Sequence, residues 1–172
     1  MKKTAKLFAI SLVLIMVLTS MVGCGEKKKT VTYDAEVATI SLSYPEKANY
    51  TYTENKEELK SNMNVAGIKG ENFEIDIRVS TVAGATFEET MNRRYDMYKD
   101  STSATAVRMT IGGFETVGMY YNNYYSISIP LKDKEYAELL VYGDGFSNEK
   151  IKAAYELPEV QDILKSVVVT VK

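Results

Sequence analysis

The chain has no histidine and no tryptophan, one cysteine and three prolines in 172 residues. Without histidine, the commonest general base is missing, together with the usual serine or cysteine triads and most zinc sites. A single cysteine cannot form a disulfide within the domain, so stability has to come from a packed core. No cofactor, no metal site and no catalytic residue is expected from the residues present.

The one thiol, Cys24, follows a basic start (Lys2, Lys3, Lys6), an apolar run from Leu7 to Val22, and Gly23. That order is the order of a secretory signal. Met21-Val22-Gly23-Cys24 resembles the lipobox of bacterial lipoproteins, in which a small residue precedes an acylated cysteine; Met21 stands where an aliphatic residue, most often Leu, is usual. The resemblance implies a signal peptide over residues 1–23, cleavage before Cys24 and lipidation at Cys24. It also implies a palmitate-type anchor that holds the protein on the extracytoplasmic face of the cell membrane. A retained transmembrane helix is the competing reading. The apolar run is shorter than the roughly 20 residues that span a bilayer, and Lys27, Lys28 and Lys29 on its far side disfavour a retained span. Residues 24–36 read as a lipidated tether, with order expected from about Val37, and 37–172 as one globular domain.

The 172 residues less the first 23 leave 149, enough for one core. The signal holds three of the 21 basic residues and none of the 23 acidic ones, which leaves 18 against 23, a formal charge of −5. That balance argues against a nucleic-acid partner. The expected partners are the membrane, through the anchor, and a protein or glycan; the oligomeric state is open. Lys27 to Lys29 read either as a contact for anionic headgroups or as a solvated spacer, and the spacer reading is favoured.

Two-residue alternation predicts strands at Ile40-Leu42-Tyr44, Phe73-Ile75-Ile77-Val79, Val107-Met109-Ile111 and Tyr125-Ile127-Ile129-Leu131, with Glu74, Asp76 and Arg78 facing water. A further strand is expected over Tyr136 to Tyr142. Pro130 cannot donate a ladder bond, so it belongs at a sheet edge or near its own strand's end. Thr86 and Glu89 fit a capping box for an amphipathic helix over Phe87 to Lys99, with Phe87, Met91, Tyr95 and Tyr98 on one face. Ser147 caps a second helix, with Phe146 and Ile151 placed for a staple, and Pro158 opens or kinks a further stretch lined by Val160, Ile163, Leu164 and Val167. Val167 to Val171 reads as a last strand buried on both faces. Runs of strands broken by helices make an α+β fold, an antiparallel β-sheet flanked by helices.

Leu42-Ser43-Tyr44-Pro45, Thr110-Ile111-Gly112-Gly113-Phe114, Tyr125 to Pro130, Ala137 to Tyr142 and Pro158 to Ser166 together resemble the PsbP-like superfamily. The resemblance implies an α/β/α sandwich used for docking or accessory roles; it places no binding residue on this chain.

The composition is rich in tyrosine, with 13, and the densest cluster is Tyr120-Tyr121-Asn122-Asn123-Tyr124-Tyr125. With Asn122 and Asn123 at a hairpin tip, alternation puts two tyrosines on each face, about half of them exposed. Exposed tyrosine beside asparagine suits protein or glycan recognition, while cross-strand aromatic pairing explains the cluster as sheet stabilisation. The pairs Glu57-Glu58 and Glu88-Glu89 are the candidates for carboxylate chemistry, although neighbours in a helix do not share a face. Asp144-Gly145 with Ser147, Asn148 and Glu149 offers oxygen ligands, but a turn followed by a cap accounts for the segment. The leading expectation is a non-enzymatic binding or accessory lipoprotein. A carboxylate-dependent surface enzyme and a structural envelope protein without ligand are the alternatives.

Overall fold

The computed structural model describes residues 26–54, 66–82, 86–101, 105–121, 123–132, 134–145 and 147–172. Cys24, Glu57, Glu58, Asn122 and Phe146 lie outside them. The strands are β1 (Lys28–Asp34), β2 (Ala38–Pro45), β3 (Thr51–Glu54), β4 (Ala66–Lys69), β5 (Phe73–Thr81), β6 (Ala106–Ile111), β7 (Phe114–Tyr120), β8 (Tyr125–Pro130), β9 (Glu135–Gly143) and β10 (Val168–Val171). Helix α1 spans Phe87–Tyr98, α2 Asn148–Glu156 and α3 Pro158–Lys165. The chain is therefore α+β, with two antiparallel sheets. Seven strands run β3-β4-β5-β9-β8-β7-β6, and three run β1-β2-β10.

Alternation explains most of these elements. Ile75 and Ile77 of β5, Ile127 and Ile129 of β8, and Ala137, Leu139 and Val141 of β9 share one face of the large sheet and one core. That core is closed by the small sheet, through Val31, Tyr33, Ile40, Leu42 and Val169, and by Ile151, Ala154, Val160, Ile163 and Leu164 of α2 and α3. Helix α1 lies on the opposite face, where Met91 packs with Ala106, Val117 and Met119, and Phe87, Tyr95 and Tyr98 extend the contact. Helices thus sit on both sides of the seven-stranded sheet.

The helix starts follow their caps. Glu89 N–H donates to Thr86 Oγ1 at 3.2 Å and Thr86 N–H donates back to Glu89 Oε2 at 2.9 Å, a reciprocal box that satisfies two orphan donors. Ser147 Oγ accepts from Lys150 N–H at 3.3 Å. Leu157 leaves helical geometry, with φ −57° and ψ 131°, so Pro158 opens a separate helix. Pro130 is the last residue of β8, where no ladder donor is required of it.

Four expectations are corrected. Order begins before Val37: β1 pairs along its whole length with β2, Lys28 opposite Pro45 and Asp34 opposite Thr39, because Val31 and Tyr33 supply an inward face that the lysine run obscures. The terminal valines are not buried on both faces; Val167 and Val169 enter the core while Val168 is 58% exposed and Val171 is also exposed, since β10 is an edge strand. Val107 is 43% exposed for the same reason, on edge strand β6. Glu74, Asp76 and Arg78 do not simply face water but are half-buried.

The hydroxyls of Tyr33, Tyr44 and Tyr52 are buried without a hydrogen-bond partner among the described residues. Burial, then the charge of Glu54 and the Tyr52 ring hydroxyl, push the Tyr33 phenol up to about 12.

Candidate functional site

The β7–β8 hairpin is closed by Tyr121 N–H donating to Tyr124 carbonyl at 2.8 Å. Cross-strand register sets Tyr120 opposite Tyr125. As alternation requires, the four tyrosines divide two and two. Tyr120 and Tyr125, with ring centroids 4.5 Å apart, face the main core, and Tyr155 of α2 lies 4.0 Å from Tyr125. Tyr121 and Tyr124, 5.1 Å apart, face the α1 side, where Tyr142 of β9 stacks edge-on to Tyr124 at 5.7 Å.

The expectation that about half of the four are exposed is corrected: none of them is fully exposed. Tyr125 is 1% exposed and belongs to the core, and Tyr120 is half-buried against it. Burial, followed by Glu156 and Tyr155, pushes the Tyr120 phenol up to about 12, and burial drives Tyr125 further upward. Tyr121, Tyr124 and Tyr142 are half-buried, and Asn123 at the tip is exposed. Burial raises Tyr121 as well, opposed by the nearby Arg94 charge. The accessible part of the cluster is therefore Tyr121, Asn123, Tyr124 and Tyr142, while Tyr120 and Tyr125 hold the hairpin to the core.

Next to this surface lies a buried ionic network that sequence reading missed. Glu138 in β9 is 3% exposed. Arg78, directly opposite in β5, donates Nε–H to Glu138 Oε2 at 2.6 Å, and its Nη2 pairs with the same oxygen. Ser126 and Ser128 of β8 donate to Oε1 at 3.1 and 3.5 Å. A buried carboxylate persists only when its oxygens are satisfied in this way. The signal was available in Tyr136-Ala137-Glu138-Leu139-Leu140-Val141, where one acid interrupts an otherwise apolar strand.

The acidic pair Glu88-Glu89 separates. Glu89 is held by the α1 cap, and those hydrogen bonds lower its carboxyl pKa. Glu88 lines a cleft of about 400 Å³ beneath α1 with Glu115, Arg108, Asn92, Met91 and Pro130. Arg108 donates to Asn92 Oδ1 at 2.8 Å and stacks 4.5 Å from the Tyr95 ring centroid. Asp144 and Gly145 form a turn ahead of the Ser147 cap. Among the described residues no group of three acidic or thiol side chains is placed to hold a metal, and no helix is long and apolar enough to cross a membrane. Comparison with known proteins finds no matching family model, no matching curated protein and no matching solved structure.

Proposed function

We propose that the chain is an extracytoplasmic lipoprotein, cleaved after Gly23 and acylated at Cys24, whose domain is a non-enzymatic binding or accessory module for a protein or cell-envelope component. The observation that carries the address is the ordered N-terminus from Lys2 through the apolar run to Gly23-Cys24. Two chains on one sulfur make a stable anchor where one is marginal. The binding role is supported by Tyr121, Tyr124 and Tyr142, half-buried rings grouped around an exposed Asn123. Rings held this way offer contact area and a polar tip at small entropic cost. We infer further that the domain is a PsbP-like sandwich, a reading supported by helices on both faces of an antiparallel sheet.

The test has two parts. Intact mass of the native product reads the state of Cys24, and an unmodified thiol or a retained Met1 overturns the address. Tyr121 and Tyr124, replaced together by Ala with the fold preserved by circular dichroism, should abolish crosslinked capture of a partner in intact cells; undiminished capture removes the hairpin from the proposal.

The enzyme reading has one observation in its favour, that Glu88 and Glu115 line the same cleft. It requires envelope-glycan hydrolysis by the purified protein that Glu88→Gln or Glu115→Gln abolishes, and it falls if no such hydrolysis is found.

A further inference from the structure

We propose that the end of the fold carrying the tyrosine hairpin faces the bilayer, docked onto anionic lipid headgroups by Lys27, Lys28, Lys29 and Lys47. This rests on the lipid anchor at Cys24, says how the anchored domain is oriented, and confines the hairpin's partner to one reached at the membrane surface.

Strand directions place these parts together. Strand β1 starts where β2 ends, with Lys28 opposite Pro45 and Lys29 opposite Tyr44. The Tyr44 ring lies 5.6 Å from Tyr50, and Tyr50 lies 5.3 Å from Phe73 at the start of β5. Phe73 is opposite Gly143, and one residue back along β9 Tyr142 meets Tyr124 of the hairpin. The start of β1, the β2–β3 turn and the hairpin therefore share one end of the molecule. The β8–β9 turn, with Lys132 and Lys134, lies at the other.

The lysines at this end are positioned by structure and do not belong to a loose spacer. Glu46 N–H donates to Lys27 carbonyl at 2.7 Å, which ties the chain before β1 to the turn bearing Lys47. Lys29 Nζ lies 5.9 Å over the Tyr44 ring. All four lysines are exposed, and none forms an ion pair among the described residues, although Glu26, Glu46 and Glu159 share this end and offset most of their charge, so closeness to the anchor carries the docking as much as charge does. From Cys24 to Lys28 is four residues, at most about 14 Å of extended chain. A diacylglyceryl group on that cysteine cannot leave this end far from the headgroups, whose negative potential acts within about one Debye length.

Lysine footprinting tests the orientation on the native chain. The protein purified from membranes is reconstituted into vesicles of phosphatidylcholine alone, or with about one third phosphatidylglycerol, and acetylated briefly with a water-soluble reagent. Site-resolved mass spectrometry should show Lys27, Lys28, Lys29 and Lys47 reacting at least threefold more slowly on the anionic vesicles, an effect that 0.5 M NaCl reverses, with Lys132 and Lys134 unchanged. Equal rates on both vesicle types, or slowing centred on Lys132 and Lys134, overturn the proposal while Cys24 is acylated. A free Cys24 in the same spectra overturns the anchor, and the docking falls with it.

Discussion

Arg78 and Glu138 stand opposite each other on adjacent antiparallel strands, and the guanidinium meets one carboxylate oxygen while two serine hydroxyls take the other. The carboxylate is nearly inaccessible and the arginine about one quarter exposed. Removing one partner leaves the other stranded. Arg78→Leu should lower unfolding free energy by about 3 kcal/mol in urea titration, because the Glu138 charge stays buried without its cation. Arg78→Leu combined with Glu138→Leu should recover more than half of that loss. A double variant as unstable as the sum of the singles would show that the pair is not coupled.

The buried tyrosine hydroxyls give the opposite sign. Tyr33 is 1% exposed and its hydroxyl has no partner among the described residues. Desolvating a hydroxyl without a hydrogen bond costs free energy, so Tyr33→Phe should raise stability by about 1 kcal/mol. A loss of stability on that substitution would mean that the hydroxyl is bonded in solution, for instance to an ordered water.

Asp76 predicts the pH response. Burial, aided by Glu74 and opposed by Arg78 and Lys69, pushes its carboxyl up to about 7. The folded state then holds a proton that the unfolded state releases near pH 4, so stability is greatest below that point and falls as pH rises towards 7. Melting temperature measured from pH 4 to pH 8 should decline more in the wild type than in Asp76→Asn. Parallel curves would show that the aspartate titrates normally.

Gly118 and Tyr125 test how the hairpin is seated. A β-carbon at Gly118 would collide with the Tyr125 hydroxyl and the Met109 methyl. Gly118→Ala should therefore cost about 1–3 kcal/mol as overpacking. Adding Tyr125→Phe should return part of the loss. Tyr125→Ala removes a core ring and should cost about 3–5 kcal/mol, whereas Tyr124→Ala, at a half-buried ring, should cost well under half as much; equal losses would contradict the division of the hairpin between core and surface.

These contrasts show where the sequence was legible. Period-two patterns with one clean apolar face, as in Phe73 to Val79 and Tyr125 to Pro130, read correctly because burial of one face dominates the choice of register. The α1 cap was visible in Thr86 and Glu89 because it is a local bond over three residues. Strand β1 was not visible, since its only inward side chains beyond the lysines are Val31 and Tyr33 and its stability comes from pairing with β2. The sites behaved likewise. Alternation divided the four tyrosines correctly, but which pair is buried depends on Tyr155, thirty residues further along in α2. The Arg78–Glu138 pair joins residues 60 apart, and no pattern local to either strand names its partner.

The small sheet has a kinetic corollary. Its central strand β2 is flanked by β1 from one side and by β10 from the other, and Ser166, just before β10, bonds Ser43 across 123 residues of sequence. Lys172 adds a 2.7 Å ion pair to Asp34 at the far corner. The hairpins of the large sheet form from near neighbours, whereas this closure needs contacts between the two ends of the described chain, which by contact order places it late in assembly.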